Sequence, residues 1–368
     1  MGAPMRIMIA GAGIGGLTLA LVLHEVGIEA EVFEQASAVR ELVVGVNMQP
    51  HAIKELAGLG LLPALDRIGV RTRRMIYMTR RGQTVWDEPR GIEAGYDVPM
   101  FSIHRGKLQG VLYEAAVDRL GPNRIHAGHR LIGPWEVGDG VIGRFERRAD
   151  GETVEVDGDA LIGADGIHSA LRAVFYPNEG PASWNGLMLW RGALDWPIYA
   201  DGRTIVIAGG LTAKLVYYPI FADSGQPEQR LMNWVVMVRL GDGSRPPARR
   251  EDWGRPGRLD TAHPMYPTGG NGASQAILDA RSLARHLASG APVPDALAAY
   301  EAERRPATTA IVLASRRGGP ERVIDLVEAR APEGFDDLEA VAPYAEREAI
   351  VRGYASLAGY AQDQVNCR

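Results

Sequence analysis

The sequence is poor in the residues that build several common kinds of functional site. Its 368 residues include a single cysteine, Cys367, so a disulfide framework or a cysteine metal cluster within one chain is excluded. One thiol fits a reducing cytoplasm, where we expect the protein. The eight histidines show no metal-ligand spacing such as H-E-x-x-H, and no G-x-S-x-G elbow occurs. We therefore expect no metal and assign no catalytic side chain.

Positive charge and long apolar runs are also scarce. The net charge of -5 lacks the basic footprint of a protein that binds nucleic acid. The one long apolar segment, Ile7 to Val26, contains four glycines and is not followed by the cleavage pattern of a signal peptide. We expect neither a nucleic-acid nor a membrane partner. The chain is long enough for two domains with a large core.

The first 35 residues carry the clearest motif. Arg6 to Ala10 is a short apolar run typical of a buried parallel strand, and Gly11, Gly13 and Gly16 follow with the G-x-G-x-x-G spacing. These glycines allow a tight turn, a close approach to a pyrophosphate and close helix packing. Glu34 ends the next predicted strand, where a carboxylate can accept hydrogen bonds from a ribose. The segment predicts a dinucleotide site for FAD or NAD, because an acid at this position disfavours NADP.

The rest of the chain alternates between helical and strand-like patterns. Helical spacing of apolar residues is seen at His51 to Leu65 and at Ser102 to Arg119, and hairpins are predicted at Arg73 to Trp86 and at Val141 to Val156. Residues 184–238 are strand-like throughout, which predicts a half-buried antiparallel sheet that forms a substrate domain. The tail from Glu333 onwards is predicted to be helical and peripheral.

Three further stretches have two interpretations each. Asp165 follows an apolar run at 160–162, so it either caps a turn or faces a ligand at the carboxyl end of a parallel strand. Arg105 opens a predicted helix, with Gln109 one turn on, and is either solvated or a ligand contact. Four aromatic side chains of the sheet either line a pocket or belong to the core: Trp190, Tyr217, Tyr218 and Trp234.

A second glycine-rich segment precedes a later helix. Gly269, Gly270 and Gly272 lie directly before an apolar helical pattern that contains Ala273 and Ile277. The backbone amides at such a helix start can hold a polar group of a cofactor.

Together these segments resemble the class A flavoprotein monooxygenases with the p-hydroxybenzoate hydroxylase fold, and most closely the phenazine hydroxylase branch, which includes the pyocyanin-forming enzyme. The resemblance runs from Arg6 to about Ala329. Its motifs are GAGIGG at 11–16 with Glu34, GADG at 163–166 with Ser169 and Arg172, and DTAHPMYPTGGNGASQAILDA at 260–280.

The resemblance implies an α/β fold in which a Rossmann-like FAD-binding domain carries an inserted, mainly antiparallel β-sheet substrate domain and C-terminal helices. The implied FAD-binding domain comprises 1–72, 100–175 and 260–310. The substrate domain comprises 73–99 and 176–259, and the C-terminal helices follow at 311–368.

The resemblance also assigns site residues. The positions that match FAD contacts are Gly11, Gly13, Ile14, Gly15, Gly16, Glu34, Gln35, Gly45, Val46, Arg105, Gln109, Leu131, Asp165, Asp260, Gly270, Asn271, Gly272 and Ala273. The positions expected beside the substrate are Met48, Trp190, Tyr218 and Pro267.

The implied reaction is the hydroxylation of a small aromatic compound, phenazine-like by the branch. NAD(P)H, with NADH favoured, would visit transiently to reduce FAD, and O2 would add to give a flavin C4a-hydroperoxide that delivers the oxygen. We expect a monomer or a homodimer. The alternatives are a flavin epoxidase, a Baeyer–Villiger enzyme, a decarboxylating hydroxylase or a flavin-binding protein without turnover. A plain NAD dehydrogenase is disfavoured, because it would leave Asp165 and the second glycine-rich segment without a role.

The chain departs from the family pattern in three places. Val43 replaces a glycine, Leu259 replaces the glycine before Asp260, and several dozen residues that the family has before Asp260 are missing. The residues 255–259 cannot form the central strand expected there, because proline and glycine weaken it. We interpret this as a segment absent from the numbering rather than a deletion in evolution, and normal Cα spacing across 258–261 would refute that interpretation.

Overall fold

The structure is a computed structural model, which describes residues 5–37, 44–138, 140–179, 186–221, 225, 227–241 and 268–367. The predictions about Val43, Leu259, Asp260, Pro267 and the chain spacing at 258–261 lie outside the described residues.

Sixteen strands and eleven α-helices are found in this part of the chain. The strands are β1 Arg6–Ala10, β2 Glu29–Glu34, β3 Gly45–Met48, β4 Gly69–Thr72, β5 Arg74–Thr79, β6 Thr84–Pro89, β7 Met100–His104, β8 Ile125–Ala127, β9 His129–Val137, β10 Gly140–Arg147, β11 Thr153–Gly158, β12 Ala160–Gly163, β13 Leu187–Pro197, β14 Thr204–Gly209, β15 Ala213–Phe221 and β16 Gln229–Arg239. The helices are α1 Ile14–Glu25, α2 Pro50–Gly58, α3 Leu62–Ile68, α4 Arg105–Leu120, α5 Ala170–Phe175, α6 Gly272–Leu287, α7 Val293–Arg316, α8 Arg322–Arg330, α9 Leu338–Val341, α10 Tyr344–Leu357 and α11 Gln362–Asn366.

The N-terminal motif builds a parallel sheet in the strand order β12-β1-β2-β8. Strand β1 pairs in parallel with β2 on one side and β12 on the other, which places Ala10 opposite both Phe33 and Gly163. Helices cover one face of the sheet, where Ile7 and Ile9 are buried and α1 packs against α4 and α6. On the other face, Met8 and Ala10 pack against Leu131 and Phe145 of the antiparallel sheet β11-β10-β9. The two predicted ligand-binding segments, at Gly11 and at Asp165, therefore leave neighbouring strands at the same edge of the sheet.

The predicted antiparallel sheet has six strands, in the order β13-β16-β15-β14-β5-β6. All neighbours in it are antiparallel except β14 and β5, which run parallel. The hairpin predicted at Arg73 to Trp86 contributes β5 and β6, so it joins the sheet that the later segment builds. We call the inner face of this sheet the one on which Tyr77, Ile207 and Tyr218 pack against α8 and α10.

A small antiparallel sheet, β3-β7-β4, connects the two larger units. Gly45 at the start of β3 lies so close to the six-stranded sheet that a Cβ on it would be 2.7 Å from both Tyr218 and Ile220. Its amide donates a 2.7 Å hydrogen bond to Oδ1 of Asn233 on β16. The nucleotide-binding unit and the substrate sheet therefore touch through this strand. The residue boundaries proposed for the domains stay predictions.

Two helical segments differ from the expected boundaries. The pattern from His51 to Leu65 contains two helices, because Gly60 adopts a φ of 73° between them and Pro63 begins the next turn. In the segment predicted as a helix from Ser102 to Arg119, helix α4 begins only at Arg105, because the residues before Arg105 belong to strand β7.

The expectation of a peripheral C-terminal tail is wrong. The tail is helical, but Tyr354, Tyr360 and Val365 are buried and form a core with Ile311 of α7. Aromatic and apolar residues on α10 and α11 give this segment a packing face, which the sequence-based expectation overlooked.

Two further observations concern the described residues as a set. None of their helices combines the length and the apolar character needed to cross a bilayer. Their histidine, cysteine and acidic side chains form no group of three or more that could hold a metal ion.

Candidate functional site

The first glycine-rich loop is built by close backbone contacts. The Gly11 amide donates to the Phe33 carbonyl at 2.7 Å, and Gly11 has a φ of 111°. A Cβ on Gly11 would lie 2.2 Å from the Ala164 carbonyl oxygen, and one on Gly16 would lie 2.0 Å from the Gly11 carbonyl oxygen. Only glycine fits at these two positions. Gly13, in contrast, faces open space, as a residue beside a bound pyrophosphate must.

Glu34 holds the same loop from the neighbouring strand. Its Oε2 accepts the Ala12 amide at 2.8 Å and its Oε1 accepts the Ala36 amide at 2.8 Å. Gln35 is partly buried beside it. Each carboxylate oxygen keeps a second lone pair, which is available to a ribose hydroxyl.

Asp165 fills one of the two roles that the sequence left open, that of a cap, and its role towards a ligand stays a prediction. Its Oδ2 accepts the Ala170 amide at 2.7 Å, so it caps the turn before α5. Its Oδ1 is buried and has no hydrogen-bond partner among the described residues. A buried carboxylate oxygen without a partner is costly, which marks it as a position for a ligand or water.

Helix α4 connects the two parts of the site. Gln109 donates from Nε2 to the Ala12 carbonyl at 2.7 Å, and the Arg105 amide donates to the Val44 carbonyl at 2.8 Å. The side chain predicted to touch a cofactor at position 109 thus binds the glycine-rich loop directly. The two contacts tie the start of β3 to that loop.

The second glycine-rich segment leads into α6 beside β3. The Gln49 amide, just after β3, donates to Ser274 Oγ at 3.1 Å. The first-turn amides of α6, among them those of Gly272 and Ala273, have no intrahelical acceptor, and no acidic side chain lies in that turn. Gly270 has a φ of 58° and faces open space. This helix start can therefore receive a polar or anionic group.

Residues of the C-terminal helices α7 and α10 hold the second glycine-rich segment through hydrogen bonds. Asn271 is 2% exposed, and its Nδ2 donates to the Tyr354 hydroxyl at 3.1 Å. The Tyr354 hydroxyl is 3.0 Å from Ser315 Oγ, and the Thr268 hydroxyl donates to the Ser315 carbonyl at 2.8 Å. Asn271 Oδ1 is buried and has no hydrogen-bond partner among the described residues.

These residues fit FAD as a group. Open space at Gly13, the acid at Glu34, two helix starts and the buried acceptor on Asp165 supply the donors and acceptors that an extended dinucleotide needs. Leu131 and Val46 are placed differently. Leu131 is buried in a cluster with Met8, Phe33 and Phe145, and Val46 is partly buried in β3.

The predicted substrate residues do not all meet. Tyr218 is buried on the inner face of the six-stranded sheet beside Gly45, and burial raises its pKa well above the ordinary value, so it stays protonated. Met48 is fully buried in the core of the nucleotide unit. Trp190 pairs with Val236, which pairs with Leu215 on β15. Leu215 lies three residues before Tyr218 and therefore faces the opposite side of the sheet, so Trp190 lies on the outer face, where it is 42% exposed.

Of the two interpretations offered for the four aromatic side chains, a single shared pocket therefore does not form. Tyr217 and Trp234 share the outer face with Trp190, whereas Tyr218 faces the other way. The alternation of side chains along a strand places neighbours 217 and 218 on opposite faces.

Arg191 is a candidate that the sequence patterns did not identify. It pairs with Val235, which pairs with Val216, so it shares the inner face with Tyr218. Desolvation lowers the pKa of the Arg191 guanidinium, although the residue is exposed to solvent. No acidic side chain among the described residues pairs with it. The sequence signal that could have identified Arg191 is an arginine within the largely apolar strand β13. On the inner face of this strand, the nearest acidic residue is Asp195, four residues further along.

A family comparison agrees with this geometry. Residues 5–186 and 259–315 match the family described as "FAD binding domain". The chain belongs to this family.

Curated relatives of this FAD-binding protein are named for hydroxylation or monooxygenation. It is 38% identical to the phenazine 1,6-dicarboxylic acid hydroxylase PhzS of Lysobacter antibioticus, over 86% of this chain and 91% of the relative. It is 27% identical to an FAD-dependent urate hydroxylase of Klebsiella pneumoniae, over 85% of this chain and 89% of the relative. The crystal structure of K. pneumoniae HpxO with FAD and uric acid has the same fold, with a TM-score of 0.71 at 22% identity over 96% of this chain and 96% of that chain.

These findings confirm several of the predictions about this FAD-binding protein. The resemblance to FAD-dependent aromatic hydroxylases, the α/β fold class with its antiparallel sheet and C-terminal helices, the FAD cofactor and the monooxygenase class are confirmed. The roles of individual residues stay predictions. The alignment with the phenazine relative extends over 372 residues yet covers 86% of this chain, so part of the relative has no counterpart here.

Proposed function

We propose that this protein hydroxylates a planar, anionic aromatic compound of the phenazine carboxylate class, with NADH as the favoured reductant and O2 as co-substrate. The observation that carries the proposal is the contact between β3 and the inner sheet face, where Gly45 meets Tyr218 and where Arg191 lacks an acidic partner among the described residues. A relative named for a phenazine dicarboxylic acid supports the substrate class.

The roles proposed for the cofactor-binding residues follow from their positions. Gly13, Ile14, Gly15 and the start of α1 would hold the pyrophosphate of FAD, and Glu34 its ribose. Asp165 Oδ1 and the amides of α6 would hold polar atoms nearer the flavin. Bound FAD supplies the redox chemistry and the activation of O2.

The protein's own contribution to the reaction is orientation and exclusion of water. Arg191 would pair with a carboxylate of the substrate, because a guanidinium binds a planar carboxylate through two parallel hydrogen bonds. Tyr218 would donate a hydrogen bond, since its raised pKa keeps the proton on the hydroxyl. Ile220 and Ile207 keep that part of the sheet apolar.

The test compares Arg191→Gln with Arg230→Gln. Arg230 lies on the outer face of the same sheet, opposite Trp196, so it is a matched control. We expect Arg191→Gln to raise the KM for phenazine-1-carboxylate by roughly 10-fold to 100-fold, which corresponds to the loss of a charge-assisted hydrogen bond, while the KM for uncharged phenazine does not change. Arg230→Gln should leave both values unchanged.

Product analysis with labelled O2 distinguishes this function from the alternatives. One labelled oxygen as a ring hydroxyl is expected. An epoxide, a ring-expanded product or loss of CO2 would indicate another flavin oxygenase. NADH consumption that no aromatic compound accelerates would indicate a flavin-binding protein without turnover.

We also propose a cytoplasmic location and a monomeric or homodimeric state. The single thiol supports the location, since Cys367 is exposed and has no second cysteine to pair with. Light scattering of the purified protein would determine the oligomeric state.

A further inference from the structure

The loop Thr268–Asn271 rests on a buried acidic side chain that the proposed reaction does not use. The Gly269 amide donates to the carboxylate of Glu321, which lies in the short 3-10 turn between α7 and α8. A Cβ on Gly269 would lie 2.2 Å from the Tyr354 hydroxyl, so the loop has little room to move on that side. Glu321 and Tyr354 thus fix the backbone at Gly269 from two helical segments.

Glu321 is also connected to the substrate sheet. It is 3% exposed, and Lys214 Nζ lies 3.9 Å from its Oε2 and 2.8 Å from Asp325 Oδ1. Lys214 is on β15, four residues before Tyr218 and on the same inner face. One lysine therefore serves two carboxylates between the sheet and the loop. No hydrogen-bond partner of Glu321 Oε2 is found in the described part of the chain.

We propose that Glu321 is a positioning residue that fixes the loop Thr268–Asn271 against the flavin and links it, through Lys214, to the strand that carries Tyr218. The proposal rests on the proposed function in one respect, that this loop lies on the flavin side of the site. Its consequence is that a single buried carboxyl couples the geometry of the cofactor loop to the geometry of the substrate sheet.

The charges around Glu321 make this link sensitive to pH. The groups that face it are Lys214 from β15, Asp325 from α8, Tyr354 from α10 and Tyr77 from β5. Burial raises the pKa of Glu321 to about 7, although Lys214 and the Gly269 amide favour the ionised form. Near neutral pH the carboxyl therefore exchanges a proton, and its ionised form adds a negative charge below the loop.

The experiment measures the visible spectrum of the bound flavin and the Kd for FAD from pH 5.5 to 8.5. Glu321→Gln keeps an acceptor for the Gly269 amide but cannot ionise, whereas Glu321→Leu removes the acceptor. Glu328→Gln is the matched control, because Glu328 is 6% exposed on α8 but pairs with Arg80.

We expect a flavin spectral transition with a midpoint near 7 in the wild type and in Glu328→Gln. Glu321→Gln should lose this transition and keep the Kd for FAD within roughly 3-fold, while Glu321→Leu should raise the Kd by about 10-fold or more. Lys214→Met should move the midpoint upwards, since the cation that favours ionisation is gone.

Two results would overturn the proposal: a pH transition in Glu321→Gln equal to that of the wild type, or an unchanged midpoint in Lys214→Met. Because these two results come from Glu321→Gln and Lys214→Met, the test stays decisive if Glu321→Leu does not fold. None of these readouts needs substrate. If no aromatic compound accelerates NADH consumption, the proposed function is refuted while this inference stays in place. If the pH transition does not depend on Glu321, this inference is refuted while the proposed function stays in place.

Discussion

The two glycine-rich loops of the site are organised in different ways. The loop Gly11–Gly16 is held by residues near it in sequence or on adjacent strands, through Phe33, Glu34 and Ala164. The loop Thr268–Asn271 is held by Ser315, Glu321 and Tyr354, which lie about 50 to 85 residues further along the chain. The glycines and the acid that shape the first loop lie within one βαβ unit, and the fold adds Ala164 and Gln109 to them. The named supports of the second loop all come from the C-terminal segments.

This difference determines how each loop responds to change. Close backbone contacts at Gly11 and Gly16 hold the first loop together with the side chains of Glu34 and Gln109, so a small steric change inside it should destabilise the fold itself. Side-chain hydroxyl, amide and carboxyl groups hold the second loop, so their removal should cost less stability and act mainly on the cofactor. Substitutions in the first loop and in the side chains that hold either loop can test whether the two loops differ in this way.

The largest effect is expected for Gly11→Ala. Its φ of 111° is strained for alanine, and the new Cβ would lie 2.2 Å from a backbone carbonyl oxygen that cannot rotate away. We expect a loss of at least about 3 kcal/mol in the free energy of unfolding of the apoprotein, measured with urea, together with loss of bound FAD.

Gly13→Ala is the control for that substitution. Gly13 has a φ of -74°, and no atom lies within 4 Å of the position that a Cβ would take, so the apoprotein should keep its stability to within about 0.5 kcal/mol. FAD binding should still weaken, because the backbone must approach the pyrophosphate. Equal unfolding free energies for the two variants would show that the loop tolerates a Cβ at position 11.

A smaller effect is expected for Glu34→Ala. The carboxylate accepts the amides of Ala12 and Ala36, and its removal leaves both donors without that partner. We expect a loss of about 2 kcal/mol in the free energy of unfolding and a higher Kd for FAD.

Glu31→Ala provides the comparison on the same strand. Glu31 pairs with Arg124 and His126 near the surface and does not touch the loop, so its removal should cost less than about 1 kcal/mol and leave FAD binding unchanged. If both variants bind FAD equally, the acid at the end of β2 does not support the nucleotide.

The loop Gly11–Gly16 could be predicted from the sequence, whereas the loop Thr268–Asn271 could be predicted only in part. Gly11, Gly13, Gly16 and Glu34 fall in a fixed order within one βαβ unit, where spacing alone specifies the geometry. The start of α6 was also found, from glycines before an apolar helix. Its supports were not, because Tyr354 and Glu321 read as ordinary residues of C-terminal helices until the fold places them under the loop.

The inner sheet face shows the same limit. Strand alternation separates Tyr217 from Tyr218 and places Arg191 with Tyr218, but this follows only once the register of β13, β16 and β15 is known. The sequence patterns identified the aromatic side chains of this sheet as candidates but did not identify Arg191. Composition identifies residue types, and register decides which of them meet.

The smallest effect, and the sharpest test of the contrast, is expected for Tyr354→Phe. The ring stays to pack against Gly269, but Asn271 Nδ2 loses its 3.1 Å acceptor and Ser315 Oγ its 3.0 Å partner. We expect a loss of about 1 kcal/mol in unfolding free energy and a shifted absorbance of bound flavin. Tyr96→Phe removes a 2.6 Å bond to the Tyr360 carbonyl in the same C-terminal core, away from the loop, so it should cost similar stability and leave the spectrum unchanged. Identical flavin spectra in both variants would mean that the distant helices do not position this loop.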